Sequence, residues 1–357
     1  MDRMQTAGAR RQGTQFRRVS GWFCWAAAAV LCLPGAALTV LRLIRADLGT
    51  PWIQLLSLFT ASLMLTTAAL AAAVLAVCLS SRPSRTVLAA VVAGLLLVQL
   101  QMVAPGLVPG DAADRAPQAA GTAGAPASAS SRAVTVMALN VGSTGVDSAI
   151  LLAEARSRQV DILALPELSP PGLEALEKAG IGADFPYRAV DVDWAGVGSA
   201  IFSRFPLQAS DRVPDSAFYQ SRGTVTFPGT AWNINLTAVH VASPRPGHTP
   251  AWRQELRQLG GTRQEAASSA PAILLGDFNA SYDHREFREL LAAGFTDAAQ
   301  ASGKGMVPTW PAGSRIPPFV TLDHVLVTGG IGIRSFAIVA VPGTDHAGVV
   351  AELLLPD

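Results

Sequence analysis

Residues 271–279 read PAILLGDFN and residues 344–353 read TDHAGVVAEL. In the first, the apolar run Ile273 to Leu275 leads through Gly276 into Asp277, Phe278 and Asn279. In the second, Asp345-His346 stands just before a new apolar run. Both stretches put polar, titratable side chains at the end of a β-type segment. The same join recurs along the chain. Val134–Leu139 stops at Asn140, Asp161–Leu165 runs into Pro166-Glu167, Leu236–Val239 ends at His240, and Thr321-Leu322 meets Asp323-His324. In layered α/β folds the loops at one end of a sheet converge on one crevice. These six joins are therefore expected to gather their side chains in one place.

Working outward, short β-type runs alternate with helical stretches from residue 133 to 357. The patterning predicts strands at 133–139, 160–165, 197–203, 222–227, 232–241, 271–276, 322–328, 332–340 and 348–355. Helices are expected at 146–158, 170–179, 250–267 and 284–293, with Gly, Pro, Asn and Asp at the joins. Many strands and fewer helices favour a layered sandwich over a regular doubly wound parallel sheet.

The residue types fit one chemistry. Glu167 and Asp345 are hard oxygen donors of the kind that bind Mg²⁺ or Mn²⁺ together with water and phosphate. All three cysteines (Cys24, Cys32, Cys78) lie in the first 80 residues, so the second half has neither a disulfide framework nor a cysteine zinc site. His240 and His346 offer a general base and a phosphate donor at neutral pH. Each residue alone has a plainer explanation: Asn140 as a turn former, Pro166-Glu167 as a loop, an Asp-His pair as a cap. Six independent turns explain the ordered set poorly.

This order of motifs resembles the endonuclease/exonuclease/phosphatase superfamily, the metal-dependent phosphoesterases typified by pancreatic deoxyribonuclease. The resemblance covers about residues 133–357. GDFN (276–279) and TDHAGVVAEL (344–353) carry most of it, and ALN (138–140), LPE (165–167), AVH (238–240) and LDHVLV (322–327) fill the remaining slots. It implies an α/β (α+β) four-layer sandwich, two packed mixed β-sheets flanked by helices. It implies Mg²⁺ (or Mn²⁺) as cofactor, held by Glu167 directly with Asn140 and Asp345. It further implies that His240 contacts the scissile phosphate and that Asp277 orients or deprotonates the attacking water. Asn279 would hold the phosphate and that water, and His346 would be base or phosphate donor, oriented by Asp323. His324 is expected to be structural. Two departures stand out: Gly142 occupies a position that is acidic in some nucleases of the family, and the usual proline of the final motif is Gly348 or absent, depending on the alignment.

The first half is of another kind. The chain has 357 residues, half of them hydrophobic and only 15% charged, against ~25% charged in an ordinary soluble domain. That excludes disorder of the whole chain and argues against a wholly soluble protein. No charge occurs between Arg18 and Arg42, between Asp47 and Arg82, or between Arg85 and Asp111. Each window reaches the ~20 residues that cross a bilayer, so three transmembrane helices are expected, near 21–41, 52–79 and 86–105. The expected organisation is a basic tail (1–20), a three-helix anchor (21–105), an Ala/Gly/Pro/Ser linker (106–132) too poor in large apolar residues to fold, and a catalytic domain (133–357).

Arg3, Arg10, Arg11, Arg17 and Arg18 in the tail and Arg82 and Arg85 in the second loop outnumber Arg42 and Arg45 in the first. The positive-inside rule then puts tail and second loop in the cytoplasm and the catalytic domain outside it. Residues 133–357 hold 16 basic and 22 acidic side chains, a net of six negative charges. This excludes the strong basic field of a general nucleic-acid binder. The expected function is a membrane-tethered, divalent-metal-dependent phosphoester hydrolase. Its expected partners are a phosphoester substrate, lipid-linked or small with nucleic acid the other possibility, and membrane lipid through the three helices, with no obligate protein partner evident. The alternatives are an extracellular nuclease and a catalytically silent binding domain.

Overall fold

A computed structural model of the protein describes residues 2–44, 48–79, 82–109, 132–142, 145–228, 232–265 and 271–355. Most of the expected linker, 110–131, lies outside the described residues. The chain divides into two compact units: residues 1–47 with 58–104, and residues 48–57 with 105–357.

Four helices occupy the first third: α1 (Asp2–Leu43), α2 (Thr50–Leu56), α3 (Phe59–Leu79) and α4 (Pro83–Leu107). Among the described residues, three segments are long and apolar enough to cross a membrane: Gln15–Leu43, Phe59–Leu79 and Pro83–Leu107. Small residues let these helices approach. A Cβ on Gly35 would sit 2.2 Å from Thr66 Oγ1 and 2.9 Å from Gln99 Nε2. In that gap buried Gln99 donates to Gly35 O (3.1 Å) and Thr39 Oγ1 (3.2 Å), the kind of interhelical polar contact that apolar helices use as glue. The expected span 52–79 differs in the structure. Its first residues form α2, a separate helix that belongs to the second unit, and the long helix starts only at Phe59.

Among its described residues the second unit contains twelve strands: β1 (Arg132–Ala138), β2 (Ile162–Pro166), β3 (Tyr187–Asp191), β4 (Ser199–Ser203), β5 (Leu207–Ser210), β6 (Arg222–Thr226), β7 (Asn233–His240), β8 (Ala272–Asp277), β9 (Thr296–Asp297), β10 (Asp323–Val327), β11 (Gly332–Val339) and β12 (Gly348–Leu355). They form two mixed six-stranded sheets, ordered β11-β12-β1-β2-β4-β3 and β5-β6-β7-β8-β10-β9. The helices are α5 (Ser148–Ser157), α6 (Pro170–Lys178), α7 (Ile181–Asp184), α8 (Thr249–Glu265), α9 (Arg285–Ala292) and α10 (Ala298–Ala301). The nine expected strands and four expected helices are present within a residue or three at each end. Unforeseen were β3, β5 and the two-residue β9. β3 and β5 are sheet-edge strands with a single buried side chain, Ala189, between them, so they lack the half-buried alternation that marks a strand in sequence.

Alternation within each strand builds the layers. Val134, Val136 and Ala138 of β1, Leu236 and Ala238 of β7, and Ile273 and Leu275 of β8 meet between the sheets. The intervening Met137 and Leu163 pack outward with Leu151, Leu152 and Leu176 of α5 and α6. On the other outer face Val239, Leu274 and Leu326 pack with Trp252 and Leu256 of α8 and Phe287 of α9. The result is a helix–sheet–sheet–helix sandwich, the expected fold class.

Candidate active site

Period-two alternation also aims the site. Asn140, His240, Asp277 and Asp323 share the parity of inward-facing Ala138, Ala238, Leu275 and Val325, so each continues the inter-sheet face past the last apolar residue. β1 is parallel to β2 and β7 to β8, with His240 opposite Asp277, while antiparallel β10 sets Asp323 opposite Asp277. The polar ends of both sheets therefore meet at one end of the sandwich.

Glu167 is out of phase with this rule, sharing the parity of outward-facing Leu163 and Leu165. Its backbone is left-handed (φ 61°), which breaks the alternation, and its carboxylate meets Asn140. Just beyond it, Ser169 caps α6 through Gly172 N (3.3 Å) with Pro170 following, so the strand stops within a few residues. Asn279 is a second left-handed non-glycine residue (φ 46°). Two strained residues at one site are a recurrent mark of functional geometry.

Asn140 Nδ2 lies 3.0 Å from Glu167 Oε1 and 3.1 Å from Asp277 Oδ2, and its Oδ1 accepts from Gly142 N (3.0 Å). Thr344 Oγ1 donates to Asn140 O (2.7 Å) and accepts from His346 N (3.1 Å), tying the β1 end to the final motif. Asp277 Oδ1 accepts from Asn279 N (2.8 Å). Asn279 Nδ2 donates to Val241 O (2.8 Å) and to Asp277 Oδ2 (3.2 Å). His346 Nδ1 is 2.9 Å from Asp323 Oδ2, and its Nε2 is 3.8 Å from Asp277 Oδ2. His240 Nε2 is 3.5 Å from Glu167 Oε1, its ring packs 4.2 Å from Phe218, and its buried Nδ1 has no hydrogen-bond partner among the described residues.

Burial separates the two histidines. It lowers His240 to about pH 3, helped by nearby His346, so that ring is neutral. Burial also works against charging His346, but the carboxylates of Asp323 and then Asp277 outweigh it and push the pKa up to about 10. Burial raises Asp277 to about 7, with Asp323 adding and His346 opposing. At neutral pH the site thus holds a charged imidazole hydrogen-bonded to Asp323, with Asp277 poised near the midpoint of its titration.

Seven of the eight expected site residues converge. The eighth, Asp345, is exposed, and its Oδ2 accepts from Trp310 Nε1 (3.0 Å) at the rim. His324 faces outward from β10, held by Asp297 Oδ2 (2.6 Å) and Ala280 O (3.0 Å), a structural histidine as its parity requires. Among the described residues, Asp277, Asp323 and His346 are close enough together to share a metal ion. However, His346 and Asp323 are already committed to each other at 2.9 Å, whereas the Glu167 side chain is one-quarter exposed and faces an amide. Glu167 is therefore the better-placed oxygen donor for a hard divalent cation, its carboxylate oriented by the Asn140 amide N–H. Glu255 of α8 was not foreseen. It is buried and accepts from Ala217 N (2.7 Å), Ser216 Oγ (3.1 Å) and Ala242 N (2.7 Å), fixing the loops beside His240. Nothing in an amphipathic helix marks such a residue in sequence.

Two mixed sheets with an Asn–Glu–His–Asp–Asp–His constellation at one end define the class of four-layer phosphoesterases. The chain belongs to the Endonuclease/Exonuclease/phosphatase family, whose sequence model matches residues 137–346, more than half its length. Members of this family hydrolyse phosphoester bonds. No curated protein sequence matches the chain. Among solved structures, D. rerio TDP2 complexed with a single-strand DNA product is similar at 18% identity and TM-score 0.51, over 62% of this chain and 98% of that one. An endonuclease/exonuclease/phosphatase family protein from Bacteroides thetaiotaomicron is similar at 17% identity and TM-score 0.50, over 64% of this chain and 100% of that one. At these identities the likeness is one of fold.

Proposed function

We propose that the protein is a membrane-tethered, divalent-metal-dependent phosphoester hydrolase whose catalytic unit lies outside the cytoplasm. The observation that carries this reading is the hydrogen-bonded line Asp323–His346, with Asp277 beyond it and the Asn140–Glu167 pair alongside. Asp277, raised toward neutrality by burial, takes the proton of the attacking water. His346, kept charged by Asp323, donates from Nε2 to a phosphoryl oxygen where negative charge develops. Neutral His240 and the Asn279 amide hold the remaining oxygens. Glu167, Asn140 and, after turning away from Trp310, Asp345 would hold Mg²⁺ or Mn²⁺, which when bound polarises the phosphoryl group and offsets its charge.

Two features support the topology. The arginine distribution favours the first loop and the C-terminal unit lying on the same side. The α2 helix, which belongs to that first loop, is part of the same compact unit as residues 105–357. Three crossings satisfy both. The net negative charge of residues 133–357 favours a small or lipid-linked phosphoester over long DNA.

The test uses the full chain in detergent. Chromogenic phosphate mono- and diesters, phospholipid and plasmid DNA are offered with Mg²⁺ at ~150 mM salt, roughly physiological ionic strength. Metal-dependent turnover of a small or lipid phosphoester supports the reading. Salt-sensitive DNA degradation alone would replace it with a nuclease, and no turnover of any substrate would sink it.

A further inference from the structure

The loop between the first two apolar helices is built into the back of the active site. Ile53 of α2 is 1% exposed and joins the outer core with Trp252, Leu256, Phe287 and Leu290. The loop is also held by polar contacts. Arg253 of α8 donates through Nη2 to Leu48 O, and Thr50 and Thr249 share a hydroxyl contact of 2.6 Å. Arg253 is itself fixed by Glu286 of α9 (2.9 Å).

The decisive contact is His284, a buried histidine that the catalytic constellation does not use. Its Nδ1 accepts from Ser281 N (2.9 Å), which requires the proton on Nε2. That Nε2–H then points at Ile53 O (3.1 Å). Ser281 is two residues beyond Asn279. The carbonyl of Asn279 accepts from Trp252 Nε1 (3.0 Å), and the Trp252 ring stands edge-on to His284 at 5.5 Å. The loop carrying the left-handed Asn279 is therefore clamped by two side chains, both packed against α2. Glu286 and Arg288 are the charged groups that act on His284, and the ring stays neutral because burial, with Arg288 adding to it, outweighs the Ile53 carbonyl and Glu286.

We propose that His284 is a positioning residue, and that the seating of residues 48–57 sets the Asn279 loop through it. The proposal rests on the phosphoesterase reading for its kinetic arm only. α2 enters the helix Phe59–Leu79 within three residues, so a short path leads from that apolar helix to the Asn279 loop, and it runs through one imidazole. A catalytic fragment beginning at residue 133 would lack this element.

The experiment is a double-mutant cycle on the full chain in lipid nanodiscs, with Ile53→Ala, His284→Gln and the pair. In His284→Gln the new side-chain amide reaches toward Ile53 O but offers Ser281 N no acceptor where the imidazole Nδ1 stood. Two quantities are read: backbone hydrogen exchange over 277–284, and kcat and KM on whichever phosphoester is turned over. Each single variant should speed exchange of this segment by about tenfold. Each should also lower kcat by ~10–100-fold with KM within ~threefold, the scale expected when a catalytic group is misplaced by about an ångström. The pair should lose no more than the worse single, because both act on one chain of contacts. Ile53→Leu should restore wild-type values. Unchanged exchange over 277–284, or independent additive losses in the pair, would overturn the proposal. So would a fall in melting temperature with unchanged kcat per folded molecule. The exchange arm stands even if no substrate is turned over, so failure of the clamp and failure of the phosphoesterase reading are told apart.

Discussion

At the residue scale the line Asp323–His346–Asp277 concentrates the chemistry. His346→Ala and Asp277→Ala should each lower kcat by ~10²–10⁴-fold, the usual contribution of positioned acid–base groups. Asp323→Ala acts through the ring it orients and should cost less; a larger cost than His346→Ala in a folded protein would refute the orienting role. Glu167→Gln should leave the fold intact and raise the Mg²⁺ concentration needed for half-maximal activity, and full activity at micromolar Mg²⁺ would remove Glu167 as a ligand. The histidines also set a pH window for stability. His240 and His284 are held near 3 and 4 when folded, below the ~6.5 of an unfolded chain. The unfolded state therefore binds more protons in that range, and stability should fall as pH drops from about 6.5 to about 4. His346, raised to about 10, works oppositely: its contribution is full below about 6.5 and is lost as pH rises toward 10. Denaturant midpoints across this range check both signs, and His284→Gln should flatten the acid limb.

At the element scale the close approach of β7 and β8 is what sets His240 beside Asp277. Gly276 makes it possible: with φ 141° a Cβ there would meet Val239 O at 2.2 Å. Gly276→Ala should therefore destabilise the domain strongly and lower activity together with melting temperature, since the neighbouring backbone carbonyl cannot yield cheaply. A stable Gly276→Ala protein would show that the two strands can separate without losing the sheet. The α5 cap is a control. Asp147 Oδ1 accepts from Ala149 N (3.0 Å) and Ile150 N (3.1 Å), so Asp147→Ala should cost ~0.5–2 kcal/mol and leave kcat unchanged, because none of the site side chains depends on it.

At the scale of the whole molecule, orientation is the open variable that a reporter can read. A reporter fused after Asp357 that works only outside the cytoplasm should be active, and activity of a cytoplasm-only reporter there would reverse the topology. Much of this organisation is legible in the sequence. Charge-free windows of sufficient length mark the three apolar helices, because crossing hydrocarbon is a matter of length and composition. The polar residues at the ends of apolar runs mark the site, because alternation aims them into the inter-sheet face. His324 is separable from Asp323 by the same parity. The sequence could not say that Glu167 enters the site out of phase, since that depends on a left-handed backbone that only the packed strand–helix junction enforces. Nor could it show that Asp345 turns toward Trp310, that Glu255 braces the loops beside His240, or that residues 50–56 leave the apolar run to clamp Asn279 through His284. These contacts join residues far apart in the chain, and each is decided by which surfaces remain to be covered once the two sheets have closed on one another.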